Sequence, residues 1–436
     1  MNNAWTGGQY SLFRAAFGLY LFVHFCQLAP WSAELFSSTG VLADGAASPL
    51  FGLLPSVLLI SDSAAVATAM PIVAAACSVS FALGYKDRIA ALVIWYLAAC
   101  LFTRNPLISN PSLPYVGWML LAHATLPRAP FGSLEARGRA DPAGDWRLPG
   151  GVFLAAWLVL MLGYSYSGYT KLVSPSWVDG SALGRVLENP LARDNLVTRG
   201  LLELPAGLLA LMTWGALGLE LLAAPLALSK RLRPWLWLAL VSMHLGLILC
   251  IDFAELSLAM LLMHLFCFDP AWIPPRDAAA PPLLTFYDGD CGLCHRTLRV
   301  LIAEDRAEAF RFAPLASPVL TEAVPSEAER AALPDSLLVW RRGQPLLARS
   351  DAVLTLLSRL GGLWRLLAAI GLRVPRGLRD RAYDQVAAVR KRVFKRPTAQ
   401  CPILPPRLRA LFLSRLDDLP AEDSSEDSSP AASTSY

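Results

Sequence analysis

The chain has 436 residues, of which 55% are hydrophobic and 17% are charged, and its formal net charge is +4. This length allows two or three domains, and the charged share is below the roughly 25% that is usual for soluble proteins. So small a positive charge, without any nucleic-acid-binding motif, excludes nucleic acid as a partner. Most of the charge lies in residues 276–427, whereas residues 1–272 carry the long apolar stretches. The sequence therefore predicts a polytopic α-helical membrane domain followed by a soluble domain.

Residues 1–272 contain about eight apolar stretches, which we interpret as membrane spans because a bilayer core needs about 20 apolar residues. The third, fourth and eighth are short for a span, and residues 50–60, which prolines interrupt, are interpreted as an interfacial helix or a packed loop. The predicted spans lie near 10–29, 64–84, 88–103, 113–127, 151–170, 203–228, 234–251 and 253–269.

The loops between these stretches alternate in their content of Lys and Arg. The first loop, 30–63, has no Lys or Arg. The second loop has two such residues, the fourth has four arginines, and the sixth has three basic residues. Because basic loops stay on the cytoplasmic side, the pattern predicts a multi-pass protein of the cell inner membrane with both termini in the cytoplasm. The fifth loop, 171–202, breaks the pattern, and we interpret it as a folded external element.

One lysine lies at the end of the fifth predicted span, in the run Tyr164-Ser-Tyr-Ser-Gly-Tyr-Thr-Lys171. A lysine near a membrane boundary usually extends its ammonium group to water. A lysine in a low-dielectric pocket can instead lose its proton and act as a base. Both interpretations stay open at this stage.

The surrounding segment resembles a known membrane family. The run from Ser167 to Ala182, with Lys171 and Trp177, is similar to the Gly-x-x-Lys-Leu…Trp-x-x-Gly segment of vitamin K-dependent γ-carboxylases and their HTTM relatives, and the run from His244 to Phe253 resembles a later block. The resemblance implies that Lys171 deprotonates a quinol, with a quinone in the membrane domain. The chain lacks the large external domain of the carboxylases, so glutamate carboxylation is not expected.

A Pro/Ala-rich linker, residues 273–282, precedes the soluble domain, which is predicted to span 283–415. The acidic, Ser-rich residues 416–436 that follow the domain are predicted to be a disordered tail. The patterns predict a strand from 283, a helix at 292–305, a strand at 310–315, helix and loops at 317–333, and a hairpin of 336–341 with 345–348. Ser350 is predicted to cap a helix at 351–360. This order, βαβ followed by ββα, is that of an α/β thioredoxin-like domain. Pro334 is the candidate for a cis-proline beside its redox site.

The chemistry is concentrated in Tyr287-Asp-Gly-Asp-Cys291-Gly-Leu-Cys294-His295. Cys291 is predicted at a helix N-terminus, where free N–H groups and the helix dipole favour a thiolate. Cys294 lies one turn further along the same face, so it is placed to resolve a mixed disulfide at Cys291. The pattern favours a redox dithiol over three alternatives, which are a haem c attachment site, half of a zinc site and two inert core cysteines. The second pair of zinc ligands would have to come from His295 and Cys401 alone.

The same stretch opens a resemblance to the DCC family of thiol–disulfide oxidoreductases, which continues downstream. The matching blocks are Tyr287–Cys294, Arg349–Leu354, Val374–Asp384 and Cys401–Pro402. The resemblance implies a thioredoxin-like fold and dithiol–disulfide exchange by Cys291 and Cys294. Tyr287, Asp288, Asp290 and Pro334 are the expected supporting residues, and Asp290 is expected either to oppose the thiolate by its charge or to accept a proton.

We therefore expect a membrane-anchored thiol–disulfide oxidoreductase whose dithiol faces the cytoplasm and reduces a disulfide-containing protein or a small thiol substrate. No tightly bound cofactor and no metal are expected in the redox domain. The eleven Lys and Arg residues between Arg373 and Arg409 are interpreted either as a solvated helical face or as a contact with membrane lipid. The alternative function is a quinol- or lipid-dependent membrane enzyme that uses Lys171 as its base and the dithiol domain as its electron supplier.

Overall fold

The computed structural model describes residues 3–394 and 405–420, and the chain divides into two compact units. One unit contains Gln9–Arg137 and Trp146–Asp269, and the other contains Gly138–Asp145 and the chain from Pro270 onward. The predictions for Cys401, Pro402 and the acidic tail from residue 421 onward lie outside the described residues. Residues 416–420, predicted as the start of the disordered tail, are instead packed, with Leu419 buried in an apolar cluster of the second unit.

Up to Cys267, the described chain consists of helices joined by loops. Helices are expected for long apolar stretches, because a helix satisfies its own backbone hydrogen bonds. Each of the eight predicted spans coincides with helical residues. The helices are α1 (Gly7–Leu28), α2 (Ser32–Phe36), α3 (Val57–Ile60), α4 (Ala64–Leu83), α5 (Asp87–Arg104), α6 (Leu113–Thr125), α7 (Gly150–Lys171), α8 (Pro175–Val178), α9 (Ala182–Leu187), α10 (Leu196–Leu202), α11 (Ala206–Leu221), α12 (Ala223–Ala227), α13 (Arg233–Cys250) and α14 (Ala254–Cys267).

Four helical stretches within the described residues are long and apolar enough to cross a membrane. They are Gly7–Phe36, Ala64–Leu83, Gly150–Lys171 and Arg233–Cys250. A fifth is added if α10 and α11, which meet at a bend of 111°, form one broken span. The number eight is therefore not confirmed. Two of the predicted spans are too short, because α6 and α14 have 13 and 14 residues and at about 1.5 Å per residue fall short of a 30 Å hydrocarbon core. α5 has 18 residues but carries three charged ones, Asp87, Arg88 and Arg104.

The second unit contains a four-stranded mixed sheet of β1 (Leu283–Tyr287), β2 (Phe310–Pro314), β3 (Leu338–Trp340) and β4 (Leu347–Ala348), in the order β2-β1-β3-β4. β1 pairs in parallel with β2, and β3 runs antiparallel to both β1 and β4. All five residues of β1 are buried, as expected for a central apolar strand covered on both faces. The predicted order of strands and helices is present, with shorter hairpin strands.

The helices of this unit are α15 (Gly292–Glu304), α16 (Pro318–Ala323), α17 (Glu327–Ala331), α18 (Arg349–Leu360), α19 (Gly362–Arg373), α20 (Arg376–Val393) and α21 (Pro406–Arg409). Successive side chains of β1 point to opposite faces of the sheet and therefore pack in two different apolar clusters. Leu283 and Tyr287 pack with Cys291, Cys294 and α15 on one face, whereas Leu284 and Phe286 belong to the cluster on the opposite face. The two cysteines thus lie in the larger apolar cluster.

Two local predictions are wrong. Ser350 does not cap α18, which begins one residue earlier at Arg349. The carboxylate of Asp380, on α20, instead accepts hydrogen bonds from the Ser350 hydroxyl and, at 3.3 Å, from the Ser350 N–H. No cis peptide bond occurs in the part of the chain that the structure describes, so Pro334 has the trans bond that is the default even before proline.

The polar contacts of α20 hold it against α18 and the sheet. Arg379 and Arg376 pair with Asp351 at 2.5 and 2.9 Å, and the Tyr383 hydroxyl accepts the Leu337 N–H at 3.0 Å. The hydrogen bond from the Ser350 hydroxyl lowers the pKa of Asp380, helped by the nearby arginine charges. Part of the basic 373–409 segment is therefore used inside the domain rather than for solvent or lipid.

The Pro/Ala linker is fixed along α18 and α19 by hydrogen bonds. Arg359 donates to the carbonyl oxygens of Arg276, Ala280 and Pro281, and the Gly362 N–H donates to the Ile273 carbonyl at 2.7 Å. Gly361 has φ +75°, and a Cβ atom there would lie 2.9 Å from the Pro275 nitrogen. A glycine is therefore required where the linker crosses the junction of the two helices.

Candidate active site

The two cysteines lie where β1 passes through a tight turn into α15. The Asp288 carboxylate accepts the Asp290 N–H at 2.9 Å, and the Asp288 carbonyl accepts the Cys291 N–H at 3.2 Å. Cys291 is the N-cap residue of α15, and its Sγ accepts the Cys294 N–H at 3.4 Å. The predicted strand, turn and helix N-terminus are all present in this segment.

The two thiols differ in their environment. The pKa of Cys294 is raised to about 12 by burial, with further contributions from the hydrogen bond and the charge of Cys291. Cys291 has the helix N-terminus and an N–H donor directed at its sulfur, both of which stabilise negative charge. Cys291 is therefore suited to be the nucleophile, and burial keeps Cys294 a thiol.

A buried arginine connects the dithiol to another loop. Arg390, on α20, is 3% exposed, and its Nη2 lies 2.5 Å from the Asp335 carboxylate and 3.7 Å from the Asp288 carboxylate. Its positive charge lowers the pKa of Cys294 and so opposes the effect of burial. Burial alone would lower the pKa of Arg390, but the Asp335 carboxylate, and either cysteine when it is ionised, outweigh this and raise it.

Sequence reasoning missed Arg390 and Asp335. Arg390 was counted within a generally basic segment, although it lies seven residues after Tyr383 and so on the same face of α20. Asp335 directly follows Pro334. The predicted cis bond at Pro334 is wrong, but its loop does approach the dithiol, because Asp335 binds the arginine that also contacts Asp288.

The residues around the turn have packing roles. Tyr287, at the end of β1, is buried, and its ring meets the His295 ring edge to face at a centroid distance of 5.8 Å. The His295 Nε2 lies 2.9 Å from the Gly289 carbonyl oxygen, to which it is placed to donate a hydrogen bond. His295 thus ties the start of α15 back to the turn. No group of three His, Cys, Asp or Glu side chains placed to hold a metal ion is found within 3–394 and 405–420.

Both sulfur atoms are covered in this conformation. Cys291 is 0% exposed and Cys294 is 6% exposed, and both belong to an apolar cluster that also contains Leu298, Phe312 and Leu408. The sequence predicts the helix N-terminus at Cys291 but does not show that other segments cover it. A disulfide substrate can reach Cys291 only when part of this cover moves.

The membrane-domain candidates occur in two polar clusters that share α7. The Lys171 ammonium pairs with the Glu220 carboxylate and lies 4.5 Å from the ring centroid of Trp177. Two turns earlier, the Tyr164 hydroxyl lies 2.6 Å from the Nε2 of His244 and 2.8 Å from the Nε2 of His264. Sequence reasoning missed Glu220, Tyr164 and His264. Because Glu220 compensates the lysine charge, Lys171 has the contacts of a paired cation, and its role as a base stays a prediction.

Comparison with known proteins identifies the C-terminal part. Residues 285–396, about a quarter of the chain, match the family model of the DCC1-like thiol–disulfide oxidoreductases. The predicted resemblance of this part is confirmed. No curated protein and no solved structure matches the chain, and no family model supports the HTTM resemblance of the N-terminal half. Residues 285–396 are therefore similar to a thiol–disulfide oxidoreductase domain.

Proposed function

We propose that the protein is a membrane-anchored thiol–disulfide oxidoreductase that uses Cys291 and Cys294 as its redox pair. The observation that carries the proposal is the asymmetry of the pair at the N-terminus of α15. Cys291 accepts an N–H bond at the helix end, and the pKa of Cys294 is raised to about 12 by burial and by Cys291. One sulfur is thereby prepared to attack, and the other is kept protonated until it is needed.

In the reductive direction, the Cys291 thiolate attacks one sulfur of a substrate disulfide. A bond forms between this sulfur and Cys291, the substrate S–S bond breaks, and the leaving thiolate takes a proton. Cys294 then loses its proton and attacks the Cys291 sulfur, which releases the second substrate thiol and leaves a Cys291–Cys294 disulfide. Two electrons pass to the substrate, and a cytoplasmic thiol restores the dithiol.

The contacts of Cys294 explain how the second step begins. When Cys291 enters a mixed disulfide it carries no negative charge, so it no longer adds to the effect of burial that raises the pKa of Cys294. The positive charge of Arg390, which favours the thiolate of Cys294, stays in place. Cys294 therefore becomes more acidic at the stage of the reaction that requires its thiolate.

Burial adds a conformational step to this mechanism. Because Cys291 is 0% exposed, exchange takes place from a form in which the side chains over the dithiol have moved. The order β2-β1-β3-β4, with the dithiol after the central strand, supports a thioredoxin-like fold for the domain. The chemistry proposed for it involves side chains of the domain alone and no bound cofactor.

For the helical part we propose a multi-pass anchor in the cell inner membrane, with up to eight passes and both termini in the cytoplasm. The four long apolar helices and the alternation of basic loops support this arrangement. A green fluorescent protein fused after residue 436 is expected to fluoresce, and alkaline phosphatase fused at the same place to be inactive. An active phosphatase fusion would place the dithiol on the other side.

A redox titration of the full-length protein tests the proposed function. The protein is equilibrated in thiol buffers, quenched with acid, unfolded and alkylated, so that burial of the cysteines does not affect the count. We expect Cys291 and Cys294 to be lost and regained together in a two-electron transition at roughly −270 to −200 mV, the range between thioredoxin and glutaredoxins. Two thiols that stay reduced at every potential of this series would contradict the proposal.

A further inference from the structure

A cavity of about 330 Å³ lies in the second unit at the end of the sheet remote from the dithiol. Its walls come from the linker, the β3–β4 hairpin and α18, and they include Arg276, Arg341, Arg359, Asp277 and Trp340. Its volume is within the range of small-molecule sites. Leu283 lines the cavity and is the first residue of β1, whereas Cys291 follows the last residue of this strand. The cavity and the dithiol are therefore separated by the length of β1, which is about 13 Å.

The charged groups around the cavity are not balanced. Three arginines and one acidic residue, Asp277, line it, and the Asp277 carboxylate lies 3.6 Å from Arg341. Arg359 is 4% exposed, and its pKa is lowered first by burial and then by the positive charge of Arg341. Asp277 and Asp305 offset this in part. Two guanidinium groups that repel each other in a half-enclosed space favour the entry of an anion.

The hydrogen bonding points the same way. The Nη atoms of Arg359 are used by three linker carbonyls, so this residue holds the wall of the cavity. The Nε atoms of Arg341 and Arg359 are buried and have no hydrogen-bond partner among the described residues. Because these Nε atoms have almost no accessible surface, an anion in the cavity would be bound by the Nη atoms of Arg341, for which the Asp277 carboxylate at 3.6 Å is the charged partner.

The other walls are apolar. Trp340, Leu347, Leu354 and Leu372 line the cavity together with Leu283 and Val339. A free inorganic anion would leave these side chains without contact. The combination of guanidinium groups and apolar walls fits a molecule that carries an anionic group on an apolar body.

We propose that this cavity binds the phosphate group of an amphiphilic molecule, with Arg341 and Arg276 as its ligands and Trp340 and the leucines against its apolar part. Guanidinium groups bind phosphate in a bidentate manner, and the excess of positive charge around the cavity complements the negative charge of a phosphate ester. The phosphate can belong to a membrane phospholipid or to a soluble phosphate compound. The site is separate from the dithiol, so the proposal goes beyond the proposed function and does not depend on it.

The test uses the full chain in a neutral detergent, titrated in a calorimeter with phosphatidylglycerol in mixed micelles and, separately, with inorganic phosphate. The variants are Arg341→Gln and Arg276→Gln, with Arg341→Lys as a milder change that keeps the charge. Arg342→Gln is the matched control, because Arg342 is exposed in the same hairpin and does not line the cavity. Each glutamine variant is expected to weaken binding about tenfold or more, Arg341→Lys less, and the control not at all.

Binding of the lipid alone would identify a headgroup site, and binding of both probes would identify a site for soluble phosphate compounds as well. Either result, together with the expected order of the variants, supports the proposal. Absence of heat with the lipid, whether or not inorganic phosphate binds, would overturn it. Equal weakening by Arg341→Gln and Arg342→Gln would also overturn it, because the effect would then come from surface charge and not from the cavity.

Discussion

Replacement of Cys291 by serine is expected to slow the reduction of a model disulfide by the full-length protein by at least about a thousandfold. The hydroxyl group does not ionise at neutral pH, and it does not form the sulfur–sulfur bond through which exchange proceeds. The packing cost is small, because serine is close to cysteine in size and its oxygen can still accept the Cys294 N–H. The measurement is the initial rate of thiol release at fixed protein concentration.

The matched control is Cys26→Ser, which removes an exposed cysteine of α1. It is expected to retain the parental rate, because Cys26 lies far along the chain from the redox motif. A Cys291→Ser protein as fast as the parent would show that another thiol carries the exchange. The same loss of rate in both variants would assign it to a general effect of removing cysteines.

Replacement of Arg390 by glutamine is expected to shift the pH dependence of the second step toward higher pH by about one unit. The guanidinium charge opposes the effect of burial on Cys294, so its loss raises the pKa of this thiol further. At neutral pH the release of the second substrate thiol then slows about tenfold, because the thiolate fraction falls tenfold per unit. The measurement is the single-turnover release rate between pH 6 and pH 9.

Two further variants separate charge from packing. Arg390→Lys keeps the positive charge and is expected to have a smaller shift, whereas Arg381→Gln removes an exposed arginine of the same helix and should leave the profile unchanged. An unaltered pH profile in Arg390→Gln, together with a less stable domain, would mean that Arg390 only joins the Asp288 and Asp335 loops. The pH profile therefore separates an electrostatic role from a structural one.

The local geometry of the dithiol could be predicted from the sequence because it depends on neighbouring residues. An apolar strand, an Asp-Gly turn and a Cys-x-x-Cys spacing determine the N-cap of α15 without help from the rest of the chain. The order of strands and helices followed from the alternation of apolar and polar residues in the same way.

The features that sequence reasoning missed depend on distant segments. Arg390 reaches the dithiol from a helix 99 residues after Cys291, and Asp380 replaces Ser350 as the cap of α18 from 30 residues away. The complete burial of Cys291 also depends on packing, since an N-terminal cysteine in a helix has no local signal that tells whether other elements cover it. Composition could not supply these contacts, because they arise from tertiary packing.

The count of candidate membrane spans shows the same limit in the helical unit. The positions of the helices followed from hydropathy, but α5 begins at Asp87 and ends at Arg104, both of which are buried. Arg14, in α1, lies 3.5 Å from Asp87, so this charge is compensated inside the helical unit. The mean hydropathy of a helix shows that the helix is apolar, but it does not show which of its charged side chains form ion pairs.

The most direct measurement is the intact mass of the Cys294→Ser protein after exposure to glutathione disulfide, followed by peptide mapping. We expect one glutathione on Cys291 in nearly every chain, because the first attack proceeds and no second thiol resolves the product. The parent protein should show a Cys291–Cys294 disulfide and no lasting adduct. A Cys294→Ser protein that gains no glutathione, or gains it on another cysteine, would contradict the assignment of Cys291 as the attacking residue.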